Sequence, residues 1–105
     1  MATLLLKKSY LINSLKEVKF KDLWGLHGVF TTIRLTDKPL KIIFLQSHLK
    51  NLISSSKTYK IYKKNLNLKL KKVLDLNLSK NKKYNHLLRL AISKNLISIS
   101  IRKRL

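Results

Sequence analysis

The sequence predicts an α+β fold, a mostly antiparallel sheet with two helices packed on one of its faces. Three observations predict it. Runs that alternate apolar and polar residues occur near both ends of the chain and are bounded by turn signals. The apolar period changes from two to helical after Leu45 and returns to two near Tyr84. The strand connections at 36–39 and 94–95 are short, as antiparallel neighbours allow and parallel ones do not. The order of strands and helices is that of a layered α+β domain, and 105 residues lead us to expect one domain.

Residues 9–12 form a short β-prone run that ends at the turn signal Asn13-Ser14. Val18 and Phe20 alternate with lysines and are expected to supply its partner strand. Residues 21–25 read as a loop or a single helical turn. Gly25 and Gly28 are the only glycines in the chain, so both are expected where the backbone needs positive φ or approaches something closely. Residues 29–35 read as a strong strand, with Val29, Thr31, Ile33 and Leu35 on one face and Phe30, Thr32 and Arg34 on the other. Thr36-Asp37-Lys38-Pro39 is a tight turn, and 40–44 is the returning strand of a hairpin.

From Leu45 the pattern is helical, with Leu45, Leu49, Leu52, Ile53 and Tyr59 largely on one face and a weak stretch at Ser54-Ser55-Ser56 where fraying is expected. A second helix is expected from about Asn65 to Leu78. Leu66, Leu70, Val73, Leu74 and Asn77 share one side of it, and lysines cover the other. A charged loop follows at 79–83. Residues 84–93 and 97–101 alternate as strands, joined at Lys94-Asn95, and the second closes on Arg102-Lys103-Arg104.

Composition narrows the function classes. Without cysteine there is neither a disulfide framework nor a thiolate metal site. Three scattered histidines and the acids Glu17, Asp22, Asp37 and Asp75 make no metal cluster at a usual spacing. At 45% hydrophobic, the chain is too apolar for a disordered basic tail. The apolar run at residues 4–6 is short and is followed, not preceded, by lysines, so it matches a signal peptide poorly. No apolar run approaches the length of a membrane span, and a soluble cytoplasmic protein without membrane contact is expected. Net charge is +20, a field that attracts phosphate polymers and acidic surfaces. Codon bias toward an AT-rich composition is the bland explanation of the lysine content, but it does not explain the scarcity of glutamate.

Several runs then resemble the N-terminal small domain of the fold-type IV pyridoxal-phosphate enzymes, which include class IV aminotransferases and aminodeoxychorismate lyase. They are Tyr10-Leu11-Ile12-Asn13, Trp24-Gly25-Leu26-His27-Gly28-Val29-Phe30-Thr31-Thr32-Ile33-Arg34, His48-Leu49-Lys50-Asn51-Leu52, and Leu88-Arg89-Leu90-Ala91-Ile92-Ser93-Lys94. The resemblance covers about residues 7–102, and the Phe-Thr-Thr-Ile-Arg run is closest to the lyase branch.

It implies that Phe30, Thr32 and Arg34 form a wall of the substrate pocket. It also implies departures. The family's cofactor phosphate is gripped by an arginine whose position here is Asn51, a neutral residue. Lys50 beside it points about 100° away on a helix. The family's Asp-Gly in the glycine turn is Leu26-His27, and its Ser-Arg-Gly corner is Ser93-Lys94-Asn95. The family's catalytic lysine belongs to a second domain beyond the equivalent of residue 105. The resemblance therefore implies a split, truncated or repurposed small domain, with no catalytic residue of its own and no pyridoxal phosphate bound by this chain alone. A homodimer, or a separate chain carrying the lysine domain, would complete the enzyme.

From the residues alone, Phe30 and Thr32 read first as ordinary sheet packing. Arg34 reads equally as a solvated strand end or a carboxylate ligand. His48 reads as support for a helix start, and His27 as a loop residue without an acid to orient it. Lys63, Lys64, Lys69, Lys71 and Lys72 read most simply as a solvated helix face. The functional alternative is a small basic RNA-binding or ribosome-associated protein. There these lysines, with Arg102, Lys103 and Arg104, contact phosphates nonspecifically, and Tyr59 and Tyr62 stack on bases.

Overall fold

The computed structural model describes residues 4–21, 23, 28–36, 41–42, 44–61, 64–78 and 85–103. Along them run β1 (Leu4–Leu11), β2 (Glu17–Val18), β3 (Gly28–Thr36), β4 (Lys41–Ile42), α1 (Leu45–Thr58), α2 (Leu66–Asn77), β5 (Asn85–Ser93) and β6 (Leu96–Lys103). The strands make one sheet in the order β2-β1-β6-β5-β3-β4, and every neighbouring pair is antiparallel. With both helices on one face, this is the α+β layer that the alternation predicts.

The four long strands sit in the middle. β3 pairs with β5 from Gly28 opposite Ser93 to Thr36 opposite Asn85. β5 turns into β6 through Lys94 and Asn95, pairing Ile92 with Ile97. That hairpin lacks a glycine, but the Ser93 Oγ accepts the Leu96 N–H at 3.2 Å. The outer strands, β2 and β4, have two residues each and pair only with Ser9 and Tyr10 of β1 and with Leu35 and Thr36 of β3.

The core lies between the sheet and the helices. Val29, Ile33, Leu35, Leu88, Leu90, Ile92, Ile97, Ile99 and Ile101 pack against Leu49 and Leu52 of α1 and Leu66, Leu70, Val73 and Leu74 of α2. The helical residues recur every three or four positions because only that spacing turns one stripe of a 3.6-residue helix to the sheet. Two polar contacts reach across the layer. Thr31 Oγ1 and His48 Nδ1 share a hydrogen bond of 2.8 Å, joining β3 to α1. The Asn77 amide donates to Tyr10 Oη at 3.0 Å and to the Val73 carbonyl at 2.8 Å, joining α2 to β1.

Several expectations are corrected. β1 begins at Leu4 rather than Ser9, because β6 runs on to Lys103 and pairs with the earlier residues whatever their own pattern. Phe20 lies beyond β2, whose strand residues are Glu17 and Val18. The returning strand is Lys41–Ile42, and Phe44 has already turned into left-handed backbone at φ 55°. α1 continues unbroken through Ser54-Ser55-Ser56. Ser56 is buried and its hydroxyl donates to the Ile53 carbonyl, so its polar group is satisfied inside the helix. Tyr59 is 69% exposed and does not belong to the apolar stripe. The second helix and the last two strands run within one or two residues of expectation. Most of the loop expected at 21–25, residues 37–39 of the turn expected at 36–39, and the loop expected at 79–83 lie outside the described residues, as do Leu26, His27, Leu40, Ile43, Tyr62 and Tyr84.

Candidate functional site

Residues directly opposite one another on neighbouring strands share a face of the sheet. The registers therefore assemble three rungs on the face away from the helices. The first is Phe30, Ala91, Ser98 and Ser9 across β3, β5, β6 and β1. The second is Thr32, Arg89, Ser100 and Lys7, and the third is Arg34, Leu87 and Arg102. The sequence assignment of Phe30, Thr32 and Arg34 to one face agrees with this, and all three are exposed.

The first rung is partly roofed by Lys21 and Leu23, which lie on this face. Lys21 N–H donates to Ser9 Oγ at 2.9 Å, and Ser98 Oγ donates to Lys21 O at 2.8 Å. Ser9 and Ser98 share a bond of 2.7 Å. With Ser98 already donating to the carbonyl, the proton between the hydroxyls comes from Ser9. The bonds thus form a closed ring in which each serine gives one hydrogen and takes one. Both serines are buried. Leu23 is also buried, and its Cβ stands 3.8 Å from where a Cβ on Gly28 would be. That same Cβ would lie 2.7 Å from the Ile92 carbonyl oxygen, so Gly28 meets the close approach expected of a glycine.

The second and third rungs lie beyond this strap. They hold four cations, Lys7, Arg89, Arg34 and Arg102, and none of their residues is acidic. The Arg89 guanidinium lies 4.8 Å from the ring centroid of Phe30, a residue that is 49% exposed. Lys7 Nζ lies 6.0 Å from the ring of Phe20. A guanidinium stacked on a ring is held in a fixed orientation, and the Arg89 Nε and Nη2 atoms are buried there. Adjacent strands are about 4.8 Å apart, so Arg89 is a diagonal neighbour of both Arg34 and Arg102. The arrangement can receive a carboxylate or a phosphate. It offers no nucleophile with a base beside it. His48 is engaged with Thr31 on the other face, and the described residues contain no group of His, Cys, Asp and Glu able to hold a metal.

The remaining expected residues are dispersed. Asn51 is exposed on α1, in the layer on the other side of the sheet from Phe30, Thr32 and Arg34. Lys69, Lys71 and Lys72 lie on α2, and Lys64 just before it. The proposed basic patch is divided, because Arg102 stands on the helix-free face and Lys103, opposite His86, on the helical side. Lys63 and Arg104 lie outside the described residues. Arg89 and Lys7 were not singled out from the sequence as site residues. The alternation of Leu87, Arg89 and Ala91 against Leu88 and Leu90 carries the signal for Arg89, but its neighbours depend on register. No family model matches the chain, and neither a curated protein nor a solved structure matches it. Among the described residues, no helix is long and apolar enough to cross a membrane.

Proposed function

We propose that this chain is the small lobe of a fold-type IV pyridoxal-phosphate enzyme, of the class IV aminotransferase or aminodeoxychorismate lyase type, and that its helix-free sheet face is one wall of the substrate pocket. The observation that carries this is the exposed row of Phe30, Thr32 and Arg34 with the Arg89 guanidinium stacked beside it. The order of motifs in the sequence supports it as well, and the described elements follow it: strand, strand, hairpin partner, histidine-bearing helix, arginine-bearing strand.

In this role the chain binds and orients; it does not carry the bond-making step. Arg34 takes the substrate carboxylate, Thr32 beside it offers a hydroxyl, Arg89 stacked on Phe30 adds positive charge below them, and Phe30 supplies an apolar edge that limits water. The cofactor supplies the electron sink in such enzymes. At the helix position where the family grips its phosphate stands Asn51, a neutral and exposed amide. This chain's residue there does not fit a phosphate, so no step is assigned to the cofactor on this chain. A domain carrying the family's lysine completes the pocket. An open apolar and cationic sheet face is the surface it covers.

Two measurements test the proposal. When 2-oxoglutarate is titrated into the ¹⁵N-labelled chain, the resonances of Thr32, Arg34 and Arg89 should shift together, and Arg34→Gln should abolish the effect. Shifts confined to α1 and α2, or none, would remove the assignment of this face. At the level of the family, the DNA past the codon for Leu105 or a neighbouring reading frame should encode the lysine domain, and the two domains together should produce transaminase or lyase turnover that neither shows alone. An unrelated neighbour together with an inert mixture would end the enzyme reading.

A further inference from the structure

The opposite layer of the molecule holds a second cationic feature. Between α1 and α2 lies an open groove of about 680 Å³, lined by Ser47, Lys50, Ile53, Ser54 and Lys57 of α1 and by Asn67 of α2. Lys50 and Lys57 are seven residues apart, which places them about 10.5 Å from one another along the axis. Lys71, four residues beyond Asn67, lies on the same stripe of α2 and is half-buried, and Lys64 lies just before the N-cap Asn65. Residues 45–77 contain eight lysines against one acid, Asp75. The field of such a groove is focused by its low-dielectric walls. Lys50 and Lys57 stand within about one Debye length of each other, so one polyanion can feel both charges.

We propose that this groove binds a single strand of nucleic acid through its phosphates. A repeated anion engages several lysines at once and gains by releasing its counterions, which a single small anion does not. Ser47, Ser54 and Asn67 provide hydrogen bonds to phosphate oxygens, and Ile53 in the wall offers apolar contact to a sugar or base. The shape selects a strand over a duplex: proteins read a duplex with convex elements set into its grooves, whereas here the protein is the concave partner. Nothing in the groove reads base edges, so binding is independent of sequence. None of this depends on the sheet-face proposal, which uses different residues on the other side of the molecule.

The test is fluorescence anisotropy with a labelled oligo(U) of about 15 nucleotides and the whole chain, over a series of salt concentrations. With four lysines engaged, the slope of log affinity against log salt should be about −2.8, since each neutralised phosphate of a single strand contributes about −0.7. The variant Lys50→Glu/Lys57→Glu should lose at least tenfold in affinity and about half of the slope. Lys16→Glu/Lys19→Glu, which changes net charge equally at exposed positions beside β2, should stay within threefold of the parent. If far-UV circular dichroism shows the first variant unfolded, Lys50→Gln/Lys57→Gln replaces it, with the same direction and a smaller loss. Equal losses from the two pairs would overturn the proposal, by reducing it to bulk charge. It is equally overturned if no binding occurs at low salt, if a duplex of the same length competes as well, or if vesicles of anionic phospholipid bind with the same dependence on Lys50 and Lys57.

Discussion

Replacing Ser98 by alanine should cost far more than loss of one surface serine. Ser98 is 4% exposed and closes the ring that pins residue 21 across the sheet. Its loss removes the short bond to the Lys21 carbonyl and the acceptor of Ser9, leaving only the long 3.5 Å contact from Ser9 Oγ to Lys21 O between them. An unsatisfied buried group costs about 1–3 kcal/mol. The Lys21 side of the ring is only partly buried, so the lower end applies there, and about 2 kcal/mol in total is expected. Ser9→Ala strands the Lys21 N–H and one lone pair of Ser98, for a similar cost. The two changes together leave only the Lys21 peptide without its partners, so the double variant should cost about 3 kcal/mol rather than 4, a coupling of about 1 kcal/mol. Urea unfolding followed by circular dichroism reads all four proteins. For a domain of this size each kcal/mol moves Tm by about 4–8 °C. A loss under 0.5 kcal/mol from either single change, or strict additivity in the double, would show that the ring is not a cooperative unit.

Further outcomes are expected elsewhere. Gly28→Ala should destabilise by about 1–3 kcal/mol, since the new methyl meets the Ile92 carbonyl oxygen at 2.7 Å and backbone must move; an unchanged urea midpoint would contradict that contact. Lys60→Gly should stabilise by about 1 kcal/mol. Lys60 sits at φ 61° just past α1, where its N–H bonds Lys57 O and the next N–H bonds Ser56 O, a Schellman end that glycine adopts without strain. A lower Tm would refute that geometry. Thr31→Val should cost about 1 kcal/mol by removing the bond to His48, and a chevron in which only unfolding accelerates would place that contact late in folding. Raising salt from about 10 to 300 mM should raise Tm by several degrees, because +20 of net charge repels itself in the folded state and screening relieves it. A flat or falling Tm would mean that specific ion pairs outweigh the repulsion.

The elements were legible where local pattern and tertiary environment agree. The strand at β3 shows strict alternation because one face meets helices and the other does not. The stripe Leu66, Leu70, Val73 and Leu74 is a clean helical period for the same reason. Pattern failed where a partner decided instead. The leucines and lysines at the start of β1 do not alternate cleanly, yet β6 captures them by backbone pairing. Three serines in α1 have poor local propensity, and burial of Ser56 with an internal bond overrides it. Phe30, Thr32 and Arg34 could be grouped because they lie on one strand. Arg89, Lys7 and the Ser9–Ser98 pair could not join them, because a one-residue change in register would have sent each to the other face.

The two cationic faces can be treated as independent sites on electrostatic grounds. The molecule measures 37 × 26 × 23 Å. A sheet and a helical layer pack about 10 Å apart, and the outer surfaces of both lie beyond those planes. At physiological ionic strength the Debye length is about 8 Å. An anion at Arg34 and Arg89 is therefore largely screened from one at Lys50 and Lys57, and the intervening core of Leu88, Leu90, Ile33 and Leu49 holds no charge to relay it. A strand in the helical groove should leave carboxylate binding on the sheet face unchanged at about 150 mM salt. Near 10 mM salt, where the screening length is about 30 Å, each anion relieves repulsion felt by the other face, and the two should compete weakly through charge alone. Competition that persists at high salt would require one contiguous surface, and then the division of Arg102 from the α2 lysines could not hold.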